Sequence, residues 1–425
     1  MRAWIVVLGL ALANGALAQE TDGEPLERED DGYAAMADES DAELEPAPPQ
    51  PVTVEATPPV TVPEPQPEPE PTTGPAERVD APEAGTTLEL KIGAQVFGEY
   101  AVELLQEEIG GESVYHQFQL GRVWLWTEFA IAGARGRVLF EGARAANEGA
   151  LVGVAGDSLV ARFREAWAGY RAWDAIELRG GIVPALTAPT LTGLWGLRPV
   201  ARTATRRFDL LDAADLGATL TGTLPRGFGV LGVGVYNGEG YEARERNRGK
   251  NIEAFAKIRP LAMIEGAEPL TLVLSYVDGS AGAGTAETDR LVGAVGWDCE
   301  RFGAGAAVTW IRGFVDDGAR EGLLAEGWAR ANPWRGLLVG ARYTWLDQDR
   351  DADDVRRHEL TATVGYRVYG VVAAFAAVDG RFGGDGVDVL DPTYDRWRVR
   401  LVVEGRFEAP FDIRLGETEG GAEDR

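Results

Sequence analysis

The stretch from Arg396 to Phe407 constrains the fold most. Read alternately, one face carries Trp397, Val399, Leu401, Val403, Gly405 and Phe407; the other carries Arg396, Arg398, Arg400, Val402, Glu404 and Arg406. Side chains of a strand point to opposite faces with period two, so this is a strand with one oily and one ionic side. Two architectures accept such a strand. In a soluble sandwich the oily side meets a core and the ionic side meets water. In a transmembrane barrel the oily side meets lipid and the ionic side lines a water-filled lumen. The number of such strands and the way they are joined decide between the two.

Alternation and turn signals place sixteen strands after residue 86, ending with the one above. They run from Leu88 to Val102, Val114 to Ala130, Arg135 to Ala145, Leu159 to Tyr170, Ala175 to Val183, Asp215 to Leu224, Phe228 to Tyr236 and Asn251 to Arg259. The second half runs from Leu270 to Val277, Thr288 to Asp298, Phe302 to Ile311, Leu324 to Ala331, Leu337 to Leu346, His358 to Val368 and Val371 to Val378. The gaps alternate: Ala132-Gly133-Ala134, Pro225-Arg226-Gly227 and Tyr369-Gly370 are short, whereas 146–158, 184–214, 237–250, 347–356 and 379–395 are long, and only Pro260 to Pro269, which should be short, breaks the pattern. Short turns at one end and long loops at the other belong to an outer-membrane barrel, and a sandwich has no reason to alternate this way. Trp173, Trp297, Trp310, Trp334, Trp345 and Tyr366 sit near strand ends, where interfacial girdles form. The expected fold is therefore all-β: a transmembrane antiparallel β-barrel of about 16 strands over 86–407.

The flanks fit an exported chain. Residues 1–18 read as a signal peptide: Arg2, the apolar run Ile5 to Leu12, then Ala16-Leu17-Ala18 as a small-residue cleavage site. Residues 19–85 form a low-complexity arm with 19 acids against Arg28 and Arg78, and its Pro-Glu repeat from Pro63 to Pro71 favours extended, disordered chain. An acidic tail is expected at 408–425. The formal net charge of −27 excludes a nucleic-acid partner. Cys299 is the one cysteine, so the chain has no internal disulfide and no paired-Cys metal site.

Several short segments carry a family resemblance: Phe163-Arg164-Glu165-Ala166-Trp167-Ala168-Gly169-Tyr170, Leu178-Arg179-Gly180-Gly181-Ile182-Val183-Pro184, Leu216 to Gly222 followed by Val235-Tyr236-Asn237-Gly238-Glu239-Gly240, and Ala341-Arg342-Tyr343 before an Asp-rich loop. The barrel resembles the phosphate-selective porin O and P family of sixteen-stranded outer-membrane porins. The amphipathic last strand ending in Phe407 resembles the C-terminal signature of bacterial outer-membrane barrels. The resemblance implies passive diffusion of small hydrophilic solutes, a homotrimer in a membrane of outer-membrane lipid and lipopolysaccharide, and a third outside loop, 184–214, folded into the lumen.

The charge of that loop can be read directly. From Pro184 to Phe208 it holds Arg198, Arg202, Arg206 and Arg207 and no acid, a local inversion in an acidic protein. Arginines in a narrow channel favour anions, because low-dielectric walls focus their field. Arg122, Arg179, Arg342, Arg398 and Arg400 add luminal charge if the strand faces are assigned correctly, although barrel walls also carry purely structural Arg–Glu pairs. Lys91, Lys250 and Lys257 are the only lysines, which speaks against a phosphate-specific lysine cluster. Small anionic solutes are the expected cargo. A second reading makes the barrel a tether whose acidic arm contacts the cell wall.

Other signals weigh less. Asp347, Asp349, Asp351 and Asp353 resemble the start of a calcium loop, but Ala352 and His358 occupy the positions that need Gly and Glu. A hydrolase would need His116 or His358 beside a serine, with Ser113 the nearest by sequence. No enzyme activity, cofactor or metal is expected.

Overall fold

The computed structural model describes residues 87–414 apart from 110–111, 146–157, 174, 243–248, 282–285, 315–316, 353–354 and 385–395. The expected signal peptide, the acidic arm, residues 415–425 of the tail and most of the long gaps 146–158 and 379–395 lie outside the described residues. Sixteen strands close into one barrel: β1 (Thr87–Ile109), β2 (Glu112–Ile131), β3 (Ala134–Ala145), β4 (Ser158–Ala172), β5 (Ile176–Pro184), β6 (Ala214–Leu224), β7 (Gly229–Tyr236), β8 (Asn251–Ile258), β9 (Leu270–Asp278), β12 (Asp289–Asp298), β13 (Phe302–Phe314), β14 (Asp317–Ala331), β15 (Leu337–Asp347), β16 (Arg356–Val368), β17 (Val372–Gly383) and β18 (Arg396–Arg414). A two-stranded hairpin, β10 (Ser280–Ala281) with β11 (Ala286–Glu287), stands between β9 and β12. Each barrel strand pairs antiparallel with its chain neighbours, and β1 closes on β18 from Thr87↔Arg414 to Leu105↔Arg396. Closure satisfies the backbone without leaving a long sheet edge, as a membrane-spanning sheet must.

The alternation places side chains as the sequence predicts. On β18, Trp397, Val399, Leu401 and Val403 are exposed on the outside, whereas Arg400, Val402 and Glu404 are buried within. The same holds for Val339 and Tyr343 against Arg342 and Thr344, and for Leu360, Val364 and Tyr366 against Glu359, Thr361 and Thr363. An outward belt of exposed Leu, Val, Tyr and Phe around a polar interior cannot face water and is the lipid-facing surface of a spanning barrel. At the short-turn end, Tyr170, Trp173, Trp334, Tyr366 and Tyr369 are exposed where an interfacial girdle belongs. Ala132-Gly133 (φ 47° and 86°) is a two-residue hairpin, and Tyr369-Gly370 (49° and 72°) are the central residues of the turn that leads into β17; both pairs are left-handed, as the strand twist requires.

Three expectations need correction. The final strand does not stop at Phe407. It runs to Arg414, because Glu408 to Arg414 continue the pairing with Gly93 to Thr87. β1 and β2 are joined by 110–111, and β13 and β14 by 315–316, so two of the outside connections are long paired strands instead of loops. The interior is also not uniformly ionic. The inward sides of β8, β9, β12 and β13 carry Phe255, Val273, Val277, Val292 and Ala307, all buried in one cluster with the segment that follows β5. The same cluster reaches Trp328 on β14, Phe375 on β17 and Val402 on β18, so the loop packs against much of the inner wall.

Candidate functional site

The segment from 185 to 213 contains two helices, α1 (Thr187–Trp195) and α2 (Ala204–Arg207). Leu191, Leu194, Trp195, Leu197, Val200 and Leu211 pack on the apolar inner wall, and Ala204 and Leu210 join Ile311, Leu324 and Leu346. The wall makes room for them with glycine. A Cβ at Gly340 would lie 2.3 Å from Leu197 Cδ1, and one at Gly296 would lie 2.9 Å from Leu194 Cδ2. Gly196, left-handed at φ 70°, ends α1.

Two wall carboxylates fasten this segment. Glu253 on β8 accepts the backbone N–H groups of Leu186 and Thr187, each at 2.9 Å, and the Tyr236 hydroxyl at 2.8 Å. Glu326 on β14 accepts the Ala204 N–H at 3.0 Å. Both acids meet the start of a helix, where N–H groups lack intrahelical partners and the dipole favours negative charge. The Arg342 guanidinium donates to the Arg202 carbonyl, and Trp195 Nε1 donates to Ala201 O at 3.0 Å.

A cavity of about 470 Å³ lies between this segment and the wall formed by β1, β2 and β15–β18. Arg198, Arg202 and Arg207 line it from the loop, and Arg122, Arg342, Arg398, Arg400 and Arg381 line it from the wall. These eight guanidiniums share the lining with four carboxylates, Glu99, Asp209, Glu359 and Asp379. The wall arginines are largely neutralised. Arg398 pairs with Glu99 at 2.6 Å and Glu103 at 3.1 Å; Arg400 pairs with Asp379 at 2.6 Å and Glu99 at 3.1 Å; Arg122 pairs with Glu141. Arg207 stands 3.5 Å from Glu359. Arg198 and Arg202 have no ion-pair partner among the described residues. Burial and then the guanidiniums of Arg122, Arg164, Arg202 and Arg206 push the Arg198 pKa well below its usual value. Burial, Arg122 and Arg206 lower that of Arg202 to about 10 against the smaller pull of Glu242, which leaves it charged at neutral pH. Burial is the larger cause and crowding of positive charge the second, and an anion beside them relieves the second.

The remaining two arginines lie elsewhere. Arg206 lines a second cavity of about 250 Å³ on the far side of the loop, bonded to Leu211 O at 2.6 Å and Asp212 at 3.1 Å. That chamber is predominantly acidic, with Asp209, Asp212, Asp215, Glu239, Glu242 and Glu253 in its lining. Burial raises the Asp212 carboxyl to about 6, against the pull of Arg206. Arg179 sits toward the short-turn end, 2.7 Å from Glu177 and stacked 4.4 Å from the centre of Trp167.

Sequence reasoning missed Glu253 and Glu326, whose partners are far away in the chain, and it missed Trp124, which lies under Arg198. The weaker signals resolve simply. Asp347 pairs with Arg356 and Asp349 with Arg320, both at 3.6 Å. His358 Nδ1 stands 2.7 Å from the Tyr343 hydroxyl on the outer surface, and His116 lies 6.4 Å from the ring of Tyr100. The Ser113 side chain lies outside the described residues. Cys299 Sγ donates to Phe302 O at 3.2 Å in a turn.

No family model and no curated protein sequence matches the chain. Solved structures do match in fold. Salmonella typhi OmpF in complex with daunomycin superposes with a TM-score of 0.54 at 11% identity, covering 75% of this chain and 97% of that one. OmpT of Vibrio cholerae with loop L8 deleted gives 0.52 at 11% identity, covering 75% and 99%. An anion-selective porin from Comamonas acidovorans gives 0.50 at 13% identity, covering 76% and 100%. The chain has the sixteen-stranded antiparallel barrel fold of bacterial outer-membrane porins.

Proposed function

We propose that this barrel is an outer-membrane channel for passive diffusion of small hydrophilic solutes, that it prefers anions, and that the segment 184–214 narrows it. One observation carries the anion preference: Arg198 and Arg202 line the passage without a carboxylate partner among the described residues. Paired arginines contribute structure and little net field, whereas an unpaired guanidinium inside a low-dielectric wall attracts every passing anion. Guanidinium geometry also suits carboxylate and phosphate oxygens.

Phosphate specificity is a narrower reading. It gains nothing from the passage, which has no lysine in its lining. Assembly as a homotrimer accords with the exposed apolar belt but does not enter the selectivity argument. The deciding measurement is the reversal potential of the full-length protein in planar bilayers under a potassium chloride gradient. Chloride outrunning potassium supports the proposal, and potassium outrunning chloride rejects it.

A further inference from the structure

An unpaired arginine in a passage needs something to hold it there. Arg198 is surrounded by like charge, and its long side chain has many rotamers. Its attractive side-chain partner among the described residues is an aromatic ring. Arg198 Cζ lies 5.8 Å from the centre of the Trp124 indole, within the range where the ring quadrupole attracts a cation.

Trp124 is itself firmly placed. It lies on β2 opposite Gln95 of β1 and Glu141 of β3, two residues from Arg122 and therefore on the same inner face. Phe97 meets it edge-on at 5.2 Å and 86°. Arg164 also stacks on it, at 4.8 Å, but Arg164 has Glu141 at 3.4 Å as a counter-charge. The two guanidiniums on this indole are therefore unequal: one is neutralised, and the other faces the passage.

We infer that Trp124 is a positioning residue for the anion preference, its ring fixing the Arg198 guanidinium at the edge of the passage with its donors free for a solute. The inference rests on the proposal that Arg198 sets selectivity. A guanidinium held by its charge over a ring spends none of its N–H groups on that contact, so a carboxylate or phosphate can meet two of them at once. A carboxylate in place of the ring would hold the arginine equally well but would cancel its charge. An aromatic ring holds it without neutralising it.

The test compares Trp124→Leu, Trp124→Phe, Arg198→Ala and the double variant W124L/R198A as full-length protein in planar bilayers. Heat-modifiable gel mobility confirms a folded barrel in each case. Arg198→Ala is expected to lower the chloride-to-potassium permeability ratio about five-fold at low salt, the bias of one unit charge a few ångströms away. Trp124→Leu keeps every charge yet should lose at least half of that effect, Trp124→Phe should restore most of it, and the double variant should match Arg198→Ala alone. If Arg198→Ala lowers the ratio and Trp124→Leu does not, the positioning role is overturned while the anion reading stands. A Trp124→Leu effect that persists undiminished in the Arg198→Ala background also overturns it. If Arg198→Ala changes nothing, both fall. Should Trp124→Leu fail to fold, Trp124→Met replaces it with the same two outcomes: a loss of at least half of the Arg198 effect supports the positioning role, and an unchanged ratio overturns it.

Discussion

Glu253 on the barrel wall accepts the Thr187 backbone N–H at 2.9 Å, and with it a strand carboxylate caps a helix that belongs to a loop. The same carboxylate takes the Leu186 N–H and the Tyr236 hydroxyl, so one buried acid joins helix, loop entry and wall. Removing it leaves two N–H groups without protein partners, and each costs up to about 1–3 kcal/mol, less where water from the neighbouring cavity reaches it. The barrel's own hydrogen bonds are untouched. Glu253→Ala should therefore loosen the loop without unfolding the barrel: single-channel traces become noisier with a higher mean conductance, while the heat-modifiable gel shift stays in place. Tyr236→Phe removes one of the three bonds and should show a smaller version. Traces as quiet as wild type for Glu253→Ala would falsify the anchoring role.

Selectivity should divide the arginines into two groups. Arg202→Ala, like Arg198→Ala, removes a charge with no ion-pair partner among the described residues and should lower the anion preference directly. A unit charge at 4 Å is worth about 1 kcal/mol even at the dielectric of water, about a five-fold bias. Arg400→Ala frees Asp379 and leaves Glu99 to Arg398 alone, so it should make the local charge more negative and destabilise the wall beside it. Raising salt to 1 M shortens the screening length to about 3 Å and should erase most of the difference between wild type and Arg202→Ala. Reversal potentials at both ionic strengths supply the check, and a selectivity loss that survives high salt would point to a steric origin.

How much of this was legible depends on the range of the interaction. The strand faces were, because period two is a local signal: Val399 and Leu401 against Arg398 and Arg400 needed no knowledge of neighbours. The arginines at 198 and 202 were also legible, as an acid-free run in an acidic chain. The caps were not. Glu253 and Glu326 meet backbone groups 66 and 122 positions away, and nothing in their own neighbourhood announces it. The apolar part of the interior left a trace that the barrel reading passed over. Leu270-Thr271-Leu272-Val273-Leu274-Ser275-Tyr276-Val277 carries no charge on either face and has Val273 and Val277 on the inner one, the mark of a strand covered on both sides. Here lipid covers one side and α1 and the rest of its loop cover the other. Which arginines are neutralised could not be read at all, since pairing is set by register across strands.

Gly340 tests the packing of that covered wall. Its missing side chain is the space that Leu197 occupies, and a Cβ there would come within 2.3 Å of Leu197 Cδ1. The contact is with the end of a side chain, so the loop can yield where the strand cannot. Gly340→Val should push the 197–202 region toward the passage at an overpacking cost of about 1–3 kcal/mol. Lower single-channel conductance with a normally folded barrel is the expected result, and Leu197→Ala in the same chain should recover part of it. Conductance equal to wild type would mean that the loop and this wall are not in contact in the membrane.

Acid should strengthen the anion preference, and the sign follows from Asp212. Burial raises its carboxyl to about 6; Arg206 opposes the shift, and Asp215 and Glu242 add to it. A raised carboxylate pKa means that the group is charged above that pH and neutral below it. Between pH 7 and pH 5 the chamber beside the loop therefore loses one negative charge, and Arg206, 3.1 Å away, loses the nearer of its two counter-ions and keeps Glu242 at 4.0 Å. Both changes make the loop more positive. The chloride-to-potassium ratio should rise through this interval by less than the about five-fold of a full charge in the passage itself, because Asp212 lies across the loop from it. Asp212→Asn should show the acid-side ratio already at pH 7 and little further change on acidification. Reversal potentials at half-unit pH steps provide the readout. A wild-type ratio that falls on acidification, or an Asp212→Asn variant with the full wild-type pH dependence, would place the titrating charge elsewhere in the lumen.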